Sequence, residues 1–229
     1  MAFIVIEGLD GAGKSTQVEL LKEYFKNINK KTEFIHFPTT DSPIYGDLIS
    51  KFLRGEFGGI KDVNPYLVAL LFAGDRHNLK SKIKAWLDAG KIVINDRYVY
   101  SNIGFQCAKM QNQKQADELF DWIFNLEFNY FNIPKPDLSV FLDVPFSFTK
   151  NKLKQAREGK DREYLKGKID IHEEDLNFQK LVRETYLKAI EKDENLIRID
   201  CADKKEQILS PNCISKLIIK EIEKRFTFY

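Results

Sequence analysis

Cysteine is scarce in this chain, and its spacing offers neither a metal site nor a disulfide framework. Three cysteines occur among the 229 residues, at positions 107, 201 and 213. Their number is odd and none belongs to a C-x-x-C pair, which argues against both a disulfide scaffold and a zinc site. We therefore expect Cys107, Cys201 and Cys213 to be reduced thiols in the core.

An excess of charge and long apolar runs are also lacking. The formal net charge is only +2, which gives no electrostatic reason to expect a nucleic-acid or membrane-surface partner. No segment approaches the roughly eighteen uninterrupted apolar residues of a membrane span, and no signal-like segment precedes the first apolar stretch. We expect a soluble, cytoplasmic protein that binds neither nucleic acid nor a membrane.

What the sequence does contain is an alternation of apolar strand-like runs and longer helix-like segments. A hydrophobic fraction of 43% with 18 phenylalanines indicates a packed core. The alternation predicts one three-layer α/β domain over residues 1–229, a parallel sheet with helices on both faces. One long helix is expected from Pro65 to Gly90. The five predicted strands are Phe3–Glu7, Thr32–Phe37, Ile92–Asn95, Leu138–Asp143 and Leu196–Asp200.

The most specific motif is GLDGAGKS, residues 8–15, which fits G-x-x-x-x-G-K-[ST] between a predicted strand and a predicted helix. Its glycines let backbone N–H groups turn toward phosphate oxygens. Lys14 would bridge the terminal phosphates of ATP and Ser15 would ligate Mg²⁺, whereas the alternative is a structural glycine-rich turn. The motif predicts a P-loop NTPase fold. The other predicted ATP-binding residues are Gly8, Gly11, Ala12, Gly13 and Thr16.

Two absences narrow the class of P-loop protein. There is no N-K-x-D to select guanine, and no Asp-Glu pair after a later strand to position water. The strand KIVIN ends instead in Asp96-Arg97-Tyr98. A carboxylate near Mg²⁺ followed by a guanidinium for a second anion favours phosphoryl transfer between two phosphorylated molecules. A strand-end ion pair is the equally weighted alternative.

Three segments together resemble thymidylate kinases: GLDGAGKSTQ, LLFAGDRHN at residues 70–78, and DRYVYSNIGFQ at residues 96–106. The resemblance extends from residue 3 to about residue 190. It implies transfer of the γ-phosphoryl group of ATP to dTMP by a homodimeric enzyme, with Mg²⁺ held by Ser15 and, through water, by Asp96. Another nucleoside monophosphate or deoxynucleoside kinase, or a non-catalytic ATP-binding protein, remains an alternative.

The resemblance also implies how the base of dTMP is bound. Phe72 would stack on the pyrimidine, and Arg76, on the same helical face, would donate to the base O4. Asn102 or Gln106, also four residues apart, would read the N3–H and O4 edge. The alternatives are a core phenylalanine, a surface salt bridge of Arg76 with a neighbour, and a solvated helix face.

For the sugar and phosphate of dTMP, the resemblance points to the segment after the third strand. Phe105 would lie under the sugar and exclude a 2′-hydroxyl, and Arg97 would bind the phosphate. Phe37 and Tyr98 complete the predicted substrate-binding residues. Many family members carry a charged residue after the second strand, but residues 37–43 contain no arginine. Binding of the acceptor phosphate should therefore depend more heavily on Arg97.

Asp10 and Gly11 are the informative positions within the cradle. The family resemblance directs the carboxylate of Asp10 toward the acceptor's 3′-hydroxyl and the arginine that holds its phosphate; a turn residue is the alternative. Some members place an arginine at the position of Gly11, whereas others supply one from a mobile lid. The glycine implies that a lid provides the catalytic arginine in this chain.

The charge-dense segment 153–168 lies where that lid belongs, although its composition alone favours a solvated helix end and loop. It contains Arg157 and Arg162. Our hypothesis is that one or both close over the β- and γ-phosphates as an arginine finger. Tyr164, in the same segment, would cap the bound dTMP.

Overall fold

The sheet is built from the five predicted strands. The structure is a computed structural model that describes residues 1–154, 160–168 and 170–227. The strands are β1 Ala2–Gly8, β2 Thr32–His36, β3 Ile92–Asp96, β4 Leu138–Asp143 and β5 Leu196–Asp200. All pair in parallel, in the order β2-β3-β1-β4-β5. The predicted five-stranded parallel sheet is confirmed, and strand ends differ from the prediction by at most one residue.

Helices connect the strands. Their bounds are α1 Lys14–Asn27, α2 Tyr45–Leu53, α3 Pro65–Asp88, α4 Val99–Cys107, α5 Gln113–Phe124, α6 Phe146–Lys154, α7 Ile171–Glu174, α8 Leu176–Lys192 and α9 Pro211–Arg225. A π-helical segment covers Asn125–Tyr130 and a 3-10 helix covers Lys160–Leu165. The long predicted helix is α3, which Asn64 caps by accepting a hydrogen bond from the Tyr66 amide. Its end is followed by Gly90 at φ +71°, as a helix C-terminus favours.

The sheet separates two cores, because successive residues of β1 point to opposite faces. Phe3 and Val5 pack with residues of α3, α4 and α8 on one face. Ile4 and Ile6 pack with α1 and α9 on the other. Since both faces are covered, all seven residues of β1 are buried, and the three-layer prediction is confirmed.

Strand register brings two distant segments together. β1 lies between β3 and β4, and Ile6 is the register partner of Asp96. The amide of Arg97 donates to the Ile6 carbonyl at 2.9 Å. The loops after β1 and β3 therefore meet at the carboxyl edge of the sheet, where ligands of open α/β folds bind.

The cysteine prediction is partly wrong. All three cysteines are free thiols, and Cys107 and Cys201 are buried, but Cys213 is exposed. It lies on the solvent side of α9, whose inward face is formed by Ile214, Ile218 and Ile222. Among the described helices, none is both long and apolar enough to cross a membrane.

Candidate active site

A cavity of about 660 Å³ opens at the carboxyl edge of the sheet. It is bounded by the loop after β1, the end of β3, and parts of α3, α4 and α7. Most of the residues predicted from sequence line it: Asp10, Gly11, Ala12, Gly13, Lys14, Ser15, Thr16, Phe37, Phe72, Arg76, Asp96, Arg97, Asn102, Phe105, Gln106 and Tyr164. Residues that are far apart in sequence thus face one shared space.

The cradle has the backbone that its sequence predicts. Gly11 and Gly13 have φ values of +76° and +84°, a region that L side chains rarely adopt. Lys14 begins α1, and its Nζ donates to the carbonyls of Leu9 at 3.0 Å and Gly8 at 3.4 Å. Burial lowers the pKa of Lys14 to about 8. The ammonium and the N-terminal end of α1 together favour an anion in the cradle.

Asp96 and Ser15 fit a Mg²⁺ ion. Ser15 Oγ lies 3.5 Å from Asp96 Oδ2, and His36 Nδ1 lies 3.4 Å from the same oxygen. Asp96 Oδ1 is buried and has no hydrogen-bond partner among the described residues. Burial opposes ionisation of Asp96, but the hydrogen bond from His36 and the charge of Lys14 outweigh it, so its pKa lies below the usual value. Hard oxygen donors in this arrangement suit Mg²⁺, which takes few protein ligands beside phosphate and water.

Arg97 lines the cavity directly after Asp96. Its guanidinium donates to Asp10 Oδ1 at 2.6 Å and to Ser101 Oγ at 3.0 Å, and its Cζ lies 5.2 Å from the ring centroid of Phe105. Burial would lower the pKa of Arg97, but the Asp10 carboxylate raises it above its ordinary value. Arg97 also has φ +66°, a conformation that costs energy for a side chain of this size. The cradle carboxylate therefore contacts the arginine predicted to bind the acceptor.

Glu7, which the sequence analysis missed, lies behind Arg97. It is fully buried and accepts hydrogen bonds from the Tyr98 amide at 2.9 Å, the Ser101 hydroxyl at 2.6 Å and the Tyr186 hydroxyl at 2.9 Å. Burial raises its pKa despite these donors. The contacts tie the start of α4 to β1. The sequence does offer one indication of this role, because Glu7 is the only acidic residue in the apolar run FIVIEG.

Tyr98 is a predicted site residue that the structure does not bring to the cavity. Its side chain is fully buried, with its ring 5.1 Å from that of Phe3 and 5.7 Å from that of Phe37. Its hydroxyl donates to the Pro134 carbonyl at 3.1 Å. Residue 98 follows the turn at Arg97 and points back into the core, so a substrate contact for Tyr98 is corrected to a packing role.

Arg76 lines the cavity, and the expected alternative of a surface salt bridge is wrong. The side chain is 2% exposed, and Glu127, on the π-helical segment, is 0% exposed. Arg76 Nε donates to Glu127 Oε2 at 2.5 Å and Nη2 donates to Oε1 at 2.6 Å. Asn102 and Gln106 are buried as well, so neither belongs to a solvated helix face. Nothing in the sequence marks Glu127 as the partner.

The arginine-free loop after β2 is held by Asp75. This buried carboxylate accepts the Thr39 amide at 2.8 Å and also the Thr39 hydroxyl. The Thr39 hydroxyl is therefore already engaged, whereas Thr40 lines the cavity. The loop supplies a wall of the site, but no cation among its residues.

A further wall comes from Tyr164, in the predicted lid, and from the segment that follows the lid. Tyr164 donates its hydroxyl to Asp170 Oδ2 at 2.9 Å, and the His172 ring centroid lies 4.8 Å from that of Phe105. Burial raises the pKa of Asp170 to about 7 and lowers that of His172 well below its usual value. Both residues line the cavity, yet no motif in the sequence marks them.

The two predicted lid arginines have no described side chain. Arg157 lies outside the described residues, and only the backbone of Arg162 is described, within the 3-10 helix. Their roles stay predictions.

Comparison with known proteins identifies the family. The family model of thymidylate kinase matches residues 6–211. A probable thymidylate kinase of Thermococcus kodakarensis is 38% identical over 194 residues, which are 82% of this chain and 84% of that protein. One of Thermococcus onnurineus is 36% identical over 228 residues, covering 97% of this chain and 100% of that protein. The solved structure of thymidylate kinase from Candida albicans matches with a TM-score of 0.72 and 26% identity, over 97% of this chain and 91% of that chain. This chain belongs to the thymidylate kinase family.

Proposed function

We propose a division of roles for the reaction of this family, in which the γ-phosphoryl group of ATP passes to dTMP to give dTDP and ADP. One observation carries the proposal: two anion-binding sites of different construction face a single cavity. The first is the backbone cradle of residues 8–16 with Lys14, and the second is the guanidinium of Arg97. Such a pair suits transfer between two phosphorylated molecules, where positioning and charge neutralisation supply most of the catalysis.

On the donor side, the cradle amides and Lys14 bind the phosphates of ATP. The Lys14 ammonium exchanges its hydrogen bonds to Gly8 and Leu9 for phosphate oxygens, a movement within reach of a flexible side chain. Ser15 and Asp96 hold Mg²⁺, which when bound neutralises charge on the phosphates. The unpartnered Oδ1 of Asp96 supports this assignment.

On the acceptor side, Arg97 binds the dTMP phosphate and Asp10 orients Arg97 while accepting from the 3′-hydroxyl. Phe105 lies against the guanidinium and provides an apolar surface under the sugar. Since the loop after β2 provides no cation, Arg97 carries the affinity for this phosphate. Its two hydrogen bonds, to Asp10 and Ser101, hold the guanidinium in one orientation before the nucleotide arrives.

At the far end, Phe72 stacks on the pyrimidine while Arg76, Asn102 and Gln106 read its polar edge. All four line the cavity. Tyr164 caps the bound dTMP. In the lid, Arg157, Arg162 or both supply the transition-state cation that Gly11 does not.

We also propose that the protein is a homodimer, is cytoplasmic and binds no nucleic acid. The exposed Leu67 and Leu70 on α3, which are 60% and 41% exposed, support a self-association surface on this helix. Analytical ultracentrifugation of the protein and of a Leu67→Glu, Leu70→Glu variant tests the dimer. The variant should be monomeric if α3 forms the interface.

A coupled ADP-release assay tests the function directly. The acceptors are dTMP, dUMP, dCMP, dGMP, AMP and thymidine, each with and without Mg²⁺. Highest kcat/KM for dTMP, and dependence on Mg²⁺, are the expected results. A preference for thymidine or a purine monophosphate would overturn the acceptor assignment, and turnover that persists without divalent cations would overturn the role of Ser15 and Asp96.

A further inference from the structure

The amide of Asn102 is held in one orientation. Its Nδ2 donates to the Ala69 carbonyl and to Glu127 Oε1, both at 3.0 Å. A carbonyl only accepts, and Glu127 accepts two N–H groups from Arg76, so both neighbours demand the nitrogen of the amide. The opposite atom, Asn102 Oδ1, is buried and has no partner among the described residues. Asn102 lines the cavity, and its Oδ1 is therefore the atom of the amide left to accept a hydrogen bond from a ligand.

The amide of Gln106 is held in the opposite sense. Its Oε1 accepts from Lys109 Nζ at 2.8 Å. Burial lowers the pKa of Lys109 to about 7, and in its protonated form the group has donors only. Lys109 is fixed in turn against the ring of Phe52, 4.8 Å from its centroid. The oxygen of Gln106 thus already accepts a hydrogen bond, which leaves its NH₂ group to donate to a ligand in the cavity.

Together these contacts give the base-binding wall a fixed polarity. Arg76 is a donor, Asn102 an acceptor and Gln106 a donor. Asn102 is the middle member, because it shares Glu127 with Arg76 and lies one helical turn from Gln106. The edge of thymine or uracil presents the complementary order: a carbonyl oxygen, N3–H, and a carbonyl oxygen. Cytosine presents an amino group, an unprotonated N3 and one carbonyl, which sets donor against donor and acceptor against acceptor.

We propose that Glu127 and Lys109 are positioning residues for base recognition, which fix the amides of Asn102 and Gln106 so that the site accepts thymine or uracil and rejects cytosine. Neither residue needs to touch the nucleotide. The proposal rests on the proposed function only in that Arg76, Asn102 and Gln106 face the acceptor base. A site whose polar groups cannot reorient leaves them unpaired when the wrong base enters, which is the costly outcome for binding.

The test compares kcat/KM for dTMP, dUMP and dCMP in Lys109→Met and Glu127→Gln. Lys109→Met keeps the apolar stem but frees the Gln106 amide to rotate. Glu127→Gln replaces one of the two acceptor oxygens with an NH₂ group, so the Ala69 carbonyl alone is left to hold the Asn102 amide. In each variant the ratio of dTMP to dCMP should fall about tenfold or more, while the ratio of dTMP to dUMP stays constant. The KM for ATP should not change.

Three controls keep the result interpretable. Lys114→Met, at an exposed position on α5, should leave all ratios unchanged. Lys109→Arg retains a cationic donor and should restore the ratio of dTMP to dCMP. Because Glu127→Gln leaves Arg76 short of an acceptor, its folding is checked by circular dichroism, and Lys109→Met provides the test that does not depend on that pair.

A loss shared equally by all three nucleotides in both variants would overturn the proposal, since it would show a structural role alone. So would an unchanged ratio of dTMP to dCMP. If the proposed function itself were wrong, the unsubstituted protein would show no dTMP-dependent turnover, which is a different result.

Discussion

The proposed donor and acceptor sides of the cavity are built from different kinds of groups. The donor cradle comes from nine consecutive residues, 8–16, and uses mainly backbone groups between β1 and α1. The acceptor side takes side chains from α3, α4 and α7, and several of these depend on partners elsewhere in the chain, such as Glu7 and Glu127. Local sequence is thus sufficient for one site, whereas the other exists only after the helices have packed.

The ion pairs of Arg97 and Arg76 differ within the proposed acceptor side. The side chains of Arg97 and Asp10 remain 11% and 20% exposed, whereas those of Arg76 and Glu127 are 2% and 0% exposed. The first pair can exchange part of its hydrogen bonding for a phosphate. The second is a fixed scaffold, and breaking such a buried pair is expensive because one charge is left uncompensated.

The largest effect is expected from the lid. Arg157→Ala with Arg162→Ala should lower kcat by about 10³-fold or more, because an arginine finger stabilises charge only in the transition state. Each single variant shows which residue acts, and the measurement is steady-state turnover with both substrates saturating. Lys166→Ala, exposed in the same segment, is the control. Near-native turnover in the double variant would mean that the donor side is complete without a lid.

Lys14→Met removes the only charged side chain of the cradle that would bind the phosphates of ATP. We expect kcat to fall by roughly 10³-fold, since the cradle amides would still bind ATP but the bridging charge on the terminal phosphates would be lost. Lys26→Met, at an exposed position on the same helix, is the control and should leave kcat unchanged. Isothermal titration with ATP separates the two contributions, and equal losses in ATP binding and in turnover would contradict a transition-state role.

Arg97→Lys tests the acceptor side. A lysine offers one nitrogen and cannot bond Asp10, Ser101 and a phosphate in the fork geometry of a guanidinium. The kcat/KM for dTMP should fall about 100-fold while the KM for ATP stays unchanged. Arg183→Lys removes a similar two-bonded guanidinium, paired with Asp143 away from the cavity, and should leave dTMP kinetics intact. A matched rise in both KM values for Arg97→Lys would argue that the two sides are not separable.

Asp170→Asn should have the smallest effect, one on stability. Burial, with the charges of Asp10 and Glu173, raises the pKa of Asp170 to about 7, above the unfolded value near 4. The folded carboxyl therefore binds its proton more tightly, and its contribution to stability falls as the pH rises from about 4 to about 7. The stability of the asparagine variant relative to the parent should therefore increase by about 2 kcal/mol between pH 5 and pH 8.

Urea denaturation at the two pH values measures this difference. Asp41→Asn, at an exposed carboxylate, is the control and should show no gain at either pH. A stability difference for Asp170→Asn that is the same at pH 5 and pH 8 would contradict the raised pKa.

Particular residues show why prediction succeeded on one side and failed on parts of the other. The cradle follows from GLDGAGKS, because a tight loop needs glycine at the positive φ of Gly11 and Gly13. The placement of Tyr98 was wrong because adjacency to Arg97 in sequence does not give side-chain direction after a turn with φ +66°. Asp170 and His172 carry no motif, since their environment is made by α4 and the 3-10 helix.

The parallel α/β sheet, the phosphate cradle and the family could be predicted from the sequence, because periodicity, glycine positions and short motifs are local properties of the chain. Which acids pair with which arginines, and the orientation of the two amides, depend on how the helices pack. Arg76 meets Glu127 across 51 residues, and Asn102 meets it across 25. The direction of hydrogen bonding in a buried wall depends on such distant partners. Each partner is needed because a buried polar group without a hydrogen bond costs free energy.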